Sequence, residues 1–312
     1  MKLLAAFALV VLLAPLLAPY DPGRQFASYP YAPPMPPRVL DAGALHTPFA
    51  YPIHAVDPIE RTYDADRSVR LHGFRGDTPW FLLGSDAVGR DVLSRVMIGA
   101  RLSLGIALLA TLGALALGSA IGAIAAEAGG WTDAILMRLA DVVIVLPGLY
   151  LVLALRGALP VVLTEGQVFG ALVFVLTIAG WPTVARGVRG ILVTEGSSEY
   201  AEAARAIGAS PTRVIVRHLL PAARGFLGVQ ATLLVPAFVM AEATLSFVGL
   251  GFLSPTASWG TMLHDAASVQ AVTEAPWLLA PAAAIVCTVF AVHTAAHGAA
   301  HQRDRIFTAN TL

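Results

Sequence analysis

Long stretches of this chain carry no charged side chain. Residues 102–126 contain no Asp, Glu, Lys or Arg. A helix crossing the hydrocarbon core of a bilayer needs about 20 such residues, and a bare backbone survives there only as helix or closed barrel. Comparable runs cover 3–20, 135–155, 166–185, 225–248 and 276–296. The run at 135–155 holds Arg138 and Asp141 near its start, and 225–248 holds Glu242. The pattern predicts an all-α integral membrane protein with six transmembrane helices. Composition agrees: 13% of residues are charged, against about 25% in an average soluble domain. A net charge of zero gives no case for a nucleic-acid partner. Lys2 and the run after it resemble a signal peptide. That run is long for one, and Pro19-Tyr20-Asp21 is a poor cleavage site, so residues 1–20 are expected to be an uncleaved first span.

Arginine sets the orientation, because short cytoplasmic loops concentrate positive charge. Arg186, Arg189, Arg205, Arg213, Arg217 and Arg224 lie between the fourth and fifth runs, and Arg303 and Arg305 follow the last. With six spans, that segment and both termini face the cytoplasm of an inner membrane. Residues 21–98 then form a long outer loop, and long loops cross largely regardless of charge. The loop is rich in Pro and Tyr and shows no periodicity, so it reads as extended and irregular. Residues 99–312 form the membrane core. Within it Ala114, Gly118, Gly122 and Ala126 share one helix face and admit a close neighbour.

Several chemistries have no support. A phosphate-binding P-loop requires a lysine after its glycines. Lys2 is the only lysine and has no such loop before it. There is no HExxH and no GxSxG, and the single cysteine, Cys287, sits in an apolar run. His293, His297 and His301 fall on one helix face without a carboxylate or thiol companion beyond Asp304. They read as an interfacial polar stripe. No metal site, bound cofactor or catalytic group is expected.

The most structured polar segment is 199–221. Glu199 to Ala206 is a strong helix former. Gly208 is placed to end that helix in a left-handed conformation. Ser210 and Pro211 then make an N-cap and first-turn pair. Val214, Ile215 and Leu219 form an apolar edge between Arg213 and Arg217, and Pro221 closes the second helix at the membrane. Two short cytoplasmic helices meeting at a glycine suit docking of a cytoplasmic partner better than a plain linker.

Here the chain resembles a known family. Glu202-Ala203-Ala204, Gly208 and Leu220-Pro221 are similar to the EAA loop of ABC importer permeases. The wording Arg217-His218-Leu219-Leu220-Pro221 resembles the peptide-importer branch; the general pattern has an aliphatic residue at His218. The block at 83–95, with Gly84, Asp86, Gly89, Arg90, Asp91, Ser94 and Arg95, resembles that branch's signature before the second span, with Ser85 in place of Thr. So do Gly129-Gly130-Trp131, the stretch from Glu242 to Gly251, and Ser258-Trp259-Gly260. The resemblance covers about residues 80–285 and implies a dipeptide, oligopeptide or nickel permease of the second inner-membrane kind. It departs at the long outer loop and at the His-containing end.

The resemblance implies a type I importer permease fold whose loop at 199–221 inserts a coupling helix into an ATPase subunit. It implies as partners a second permease, making a heterodimer in the lipid, two cytoplasmic ATPases that bind ATP and Mg, and an external substrate-binding protein. The coupling residues carried over are Glu199, Glu202, Ala203, Ala204, Gly208, Ser210, Pro211, Arg213, Arg217, His218, Leu220 and Pro221. Arg138 and Asp141, read as a structural pair, and Glu242, read as a packing hydrogen bond near the outer face, are also candidates for pathway or gate. A secondary transporter is the rival reading, but it usually shows internal repeats and discontinuous midplane helices, which are not evident.

Cysteine labels test the topology. In a Cys287→Ala background, Ser197→Cys and Ser68→Cys are expected to react with impermeant reagent from opposite sides of the membrane. Reaction of both from one side overturns the six-span arrangement.

Overall fold

The computed structural model describes residues 13–309 apart from 42–43, 58–61, 75–77, 146–149, 151–153, 155–156, 158–162 and 269–272, and describes 296–309 as helix only. Its helices are α1 (Ala14–Leu17), α2 (Val92–Ala128), α3 (Gly130–Val145), α4 (Glu165–Glu195), α5 (Glu199–Ala206), α6 (Pro211–Val214), α7 (Arg224–Phe247), α8 (Trp259–Asp265) and α9 (Ala280–Ala309). Among the described residues, four stretches are long and apolar enough to cross a membrane: Val92–Ala128, Glu165–Glu195, Pro211–Phe247 and Pro276–Ala295. These contain four of the six expected spans. The other two, 3–20 and 135–155, fall partly outside the described residues.

The chain divides into two compact units, residues 1–103 with 243–291, and residues 104–242 with 292–312.

The first unit corrects the expectation of an irregular outer loop. Strands β1 (Arg38–Asp41) and β2 (Ala44–Phe49) form one antiparallel hairpin, with Leu40 opposite Leu45. Strands β3 (Ile53–Asp57) and β4 (Thr62–Ala65) form another, with Ala55 opposite Tyr63. Beside them Ala32, Met35, Ala50, Ile53, Trp80 and Phe81 make a buried core. Its rings meet edge to face, Phe26 on Phe81 at 5.4 Å, or stacked, Phe74 on Trp80 at 5.1 Å. The proline-rich segment is anchored through the N–H groups of Tyr31, Ala32 and Met35 and through carbonyls, since its prolines have no N–H to offer. Trp80 Nε1 donates to Met35 O at 2.8 Å and Tyr63 Oη donates to Pro30 O at 2.7 Å. Strands of four to six residues, with Pro48 inside β2 and Pro52 just before β3, leave almost no period-2 signal. Aromatic packing between residues distant in sequence orders the segment instead.

In the second unit the membrane helices pack through small residues. A Cβ placed on Gly118 of α2 would lie 2.6 Å from Val184 Cβ and 2.7 Å from Trp181 O on α4. The row Ala114, Gly118, Gly122, Ala126 is therefore the face on which α4 lies. Ala140, Trp181 and Ala185 bury against Leu117, Ile121 and Met137, adding α3 to the same core. Thr164 caps α4 with a reciprocal bond: Thr164 N–H donates to Gln167 Oε1 at 2.9 Å and Gln167 N–H to Thr164 Oγ1 at 3.4 Å.

Overpacking costs about 1–3 kcal/mol where the neighbour cannot yield, and Trp181 O is helix backbone. Gly118→Val is expected to lower the melting temperature of the detergent-purified protein by several degrees. Gly228→Ala, where a Cβ meets no atom within 4 Å, is expected to leave it unchanged or raise it. Equal melting of Gly118→Val and wild type would show that the α2–α4 contact is looser than described.

Candidate functional site

The segment at 199–221 builds its first helix as the sequence suggests. Ser198 is the N-cap of α5, with Glu199 and Glu202 in the first turn and Arg205 in the last, charges that suit the helix dipole. At the other end Gly208 has φ +81°. Gly208 N–H donates to Arg205 O at 2.9 Å and Ala209 N–H to Ala204 O at 3.1 Å, the paired bonds of a Schellman cap. Only glycine takes that backbone without strain.

The second helix differs from expectation. α6 covers only Pro211–Val214, passes into a wide turn over Ile215–Leu219 and a tight turn over Leu220–Ala223, and joins α7. Pro221 does not close it. A proline inside a regular helix clashes with the carbonyl four residues before it. The wide turn moves that carbonyl away and lets the chain run on into the membrane span.

The apolar edge also has another use than docking. Val214 and Leu219, with Ala201, Ala204 and Ala223, bury against Val184, Val188 and Leu192 of α4, and Ile215 and Leu220 pack beside them. Each fully buried Val or Leu is worth roughly 1.5–3 kcal/mol, so the edge holds the loop to its own chain. Arg205 Nη1 adds a bond to Gly196 O at 2.7 Å, tying α5 to the end of α4. The surface left outward carries Glu199, Tyr200, Glu202, Ala203, Arg205, Ile207, Ser210, Pro211, Arg213 and Arg217, with His218 half-buried. Ile207 is 87% exposed. Sequence reasoning missed it; the signal was an isoleucine at the last helical step before the capping glycine.

Arg138 and Asp141 do not pair. Asp141 pairs with Arg186 of α4, and Asp133 with Arg189, whose Nε donates to Asp133 Oδ1 at 2.9 Å. Both bridges join α3 to α4. On one helix, residues three apart compete with partners on a packed neighbour, and the neighbour wins here. Arg138 and Asp141 are exposed, whereas Glu242 of α7 is fully buried.

The block at 83–95 is a tight turn into α2. Gly84 and Gly89 both have positive φ, and a Cβ on Gly89 would sit 2.1 Å from Phe26 O. Asp86 Oδ1 accepts from Val88 N–H at 3.0 Å and Arg90 N–H at 2.9 Å, while Oδ2 accepts from Arg90 Nε at 2.6 Å. Arg90 and Arg95 both reach Asp265 Oδ2, at 3.2 and 3.5 Å. Arg90 also donates to Ser254 Oγ at 3.1 Å and Arg95 to Pro255 O at 3.3 Å. Trp277 Nε1 donates to Ser85 O at 3.0 Å, and Trp259 Nε1 to Val96 O at 3.0 Å. The signature thus fastens the start of α2 to residues 254–277. Asp265 is the partner that sequence reasoning missed, although it is the one carboxylate between residues 243 and 273.

Asp91 caps α2: its Oδ2 accepts from Ser94 N–H at 2.8 Å and Ser94 Oγ at 2.6 Å. The residue is 1% exposed and its Oδ1 has no hydrogen-bond partner. Burial pushes its pKa up to about 6, against the lowering pull of the Ser94 bonds.

Comparison with known proteins gives the family of this helical membrane protein. Residues 118–303 match the family "Binding-protein-dependent transport system inner membrane component". The chain is 38% identical over 220 residues to the oligopeptide transport system permease protein OppC of Bacillus subtilis, covering 70% of this chain and 69% of that one. It is 38% identical to the dipeptide transport system permease protein DppC of the same organism (70% of this chain, 66% of that one). It is 33% identical to the glutathione transport system permease protein GsiD of Pectobacterium atrosepticum (77% and 75%). The chain belongs to this family: it is a multi-pass permease component of a binding-protein-dependent ABC importer, not an enzyme. As such it works beside ATPase subunits and a substrate-binding protein. An inward-facing MetNI methionine ABC transporter shares the fold, with a TM-score of 0.51 at 19% identity over 69% of this chain and 95% of that one.

The raised pKa of Asp91 gives a pH dependence. A carboxyl that titrates at about 6 when folded and 3.8 when unfolded holds its proton better in the folded state. Its contribution is complete below pH 3.8 and is lost as pH rises through 6, a change of about 3 kcal/mol. Asp91→Asn keeps the capping oxygen and removes the titration. Its melting temperature is expected to fall less than that of wild type between pH 5 and pH 8; parallel profiles would show that Asp91 does not titrate in this range.

Proposed function

We propose that this chain forms half of the translocation pathway of a peptide importer, paired with a second permease, and that residues 199–221 are the coupling element that receives the ATPase stroke. The observation that carries the reading is the two-sided build of that segment. Its inner side is anchored on α4 by Ala201, Ala204, Val214 and Leu219, and by the Arg205 bond to Gly196 O. Its outer side offers Glu202, Ile207 and Arg213. A push on α5 therefore reaches α4 through packed atoms and one charge-assisted bond.

The arginines at 186–224 support a cytoplasmic place for this segment, with both termini on the same side and six spans in all. With no lysine for a phosphate loop, the chain takes its energy from ATP bound by its partners. The mechanism is alternating access: ATP closes the ATPases, their cleft moves α5, and α4 carries the motion into the helix core. Ile207 and the stem of Arg213 supply contact area, while Glu202 sets register. Arg138 and the Asp141–Arg186 pair lie on the exposed side of α3 and α4, where they face the pathway or its inner gate. Glu242 packs. The relatives named for oligopeptide, dipeptide and glutathione transport support a short peptide as substrate.

Rim charges are typically worth under 1 kcal/mol, so Glu202→Ala is expected to be mild and Glu202→Lys severe. At Gly208 a Cβ meets no atom within 4 Å, so Gly208→Val acts through backbone strain of about 1–2 kcal/mol. The double variant Glu202→Lys/Gly208→Val is expected to reduce both ATPase co-purification and substrate-stimulated ATP hydrolysis in reconstituted vesicles, with membrane insertion unchanged. Wild-type values of both would show that the coupling contact lies elsewhere.

A further inference from the structure

The signature block encloses a cavity that its structural role does not require. The cavity has a volume of about 210 Å³ and is lined by Asp86, Arg90, Arg95, Ser254 and Asp265 on its polar side. Val92, Met262 and Leu278 make its apolar wall.

The two arginines in it are served unequally. Arg90 has a 2.6 Å bond to Asp86, with Ser254 and Asp265 beyond it. Arg95 is 1% exposed, yet its side-chain contacts are all long: 3.3 Å to Pro255 O, 3.5 Å to Asp265 Oδ2 and 3.7 Å to Asp86 Oδ2. A guanidinium presents five N–H donors in one plane. It binds a carboxylate best through two parallel bonds of about 2.7–2.9 Å, and Arg95 has no such partner. Asp86 is already committed to Arg90 and to two backbone N–H groups. Asp265 divides one oxygen between both arginines, and its Oδ1 accepts no hydrogen bond among the described residues. Its side chain is 27% exposed.

We infer that this cavity is a binding site for the carboxylate end of a short zwitterionic solute, with Arg95 taking the carboxylate and Asp265 facing the ammonium. The alkyl part would lie against Val92, Met262 and Leu278. That the solute is a peptide rests on the importer reading above; that the cavity takes a carboxylate does not. The chemistry explains why a balanced set of two arginines and two aspartates surrounds open space rather than closing on itself. Asp265 is then a resident carboxylate that holds the arginines apart until a better-placed one arrives.

The test uses the full chain in lipid nanodiscs with three probes: L-alanyl-L-alanine, its C-terminal amide, and N-acetyl-L-alanyl-L-alanine. Binding is read by calorimetry. A second readout is tryptophan fluorescence with Trp277→Phe as control, since Trp277 adjoins the cavity wall at Leu278. The dipeptide is expected to bind saturably, and the amide at least tenfold more weakly. The N-acetyl form should keep binding through its carboxylate. Arg95→Gln should weaken the dipeptide at least tenfold. Asp265→Asn removes the competing carboxylate and should tighten the N-acetyl probe several-fold. A purely structural cluster predicts the opposite or nothing for that variant, which also serves if Arg95→Gln does not fold. Absence of saturable dipeptide binding at tens of millimolar, equal binding of the amide, or loss of N-acetyl binding in Asp265→Asn overturns the site. These outcomes are independent of ATPase co-purification, which tests the importer reading at the other segment.

Discussion

Hydrocarbon offers no hydrogen-bond partner to a peptide N–H or C=O, and the architecture of this permease follows from that lack. Each crossing segment must satisfy its own backbone, and the four described ones are helical from end to end, even at Pro182 within α4 and Pro236 within α7. Lipid is as apolar as leucine, so burial of apolar surface gives the helices little reason to associate. Close contact has to come from shape. The absence of a side chain at Gly118 lets α4 approach α2 to the distance at which a single Cβ would collide with backbone. The Asp133–Arg189 and Asp141–Arg186 bridges then fix α3 on α4 where charge is tolerated. The helix core is a framework built from small residues and a few ion pairs.

That framework decides what the polar segments can do. The helix pair at 199–221 would be marginal alone, since α5 and α6 are only eight and four residues long, far below the length at which isolated helices persist. It is ordered because Val214 and Leu219 sit in a groove of α4. The same contact ties the pair to α4 through packed atoms. The apolar residues face inward for stability, and the exposed side is left to charges, Tyr200 and Ile207.

The unit made of residues 1–103 with 243–291 follows a different logic. Aromatic clustering and paired charges hold its segment 26–95. Asp86, Arg90, Arg95 and Asp265 balance one another in formal charge. Removing one partner of such a buried set typically costs about 3–5 kcal/mol, which accounts for so dense a run of charged and glycine residues before α2. The cluster costs desolvation energy in return, most plainly at Asp91, where burial pushes the carboxyl's pKa up to about 6.

The sequence alone determined the helical membrane class, the capping glycine at 208, the small-residue face of α2 and four of the crossing segments, although the helix around 102–126 begins ten residues earlier, at Val92, and the one around 166–185 ends ten residues later, at Glu195. Each rests on a local rule: uncharged length, backbone sterics at one residue, or helical periodicity. The family resemblance at 83–95 and 199–221 was legible for the same reason, since its motifs are contiguous. Tertiary structure alone decided the partners. Asp141 chose Arg186 over Arg138, Asp265 closed the signature cluster from more than 150 residues away, Val214 and Leu219 turned inward, and the proline-rich segment folded into two hairpins around Trp80 and Phe81. None of these follows from spacing along the chain, because each compares a near neighbour in sequence with a competitor that only folding brings close. The competitor wins when the packed geometry satisfies more hydrogen bonds or buries more apolar area than the local alternative.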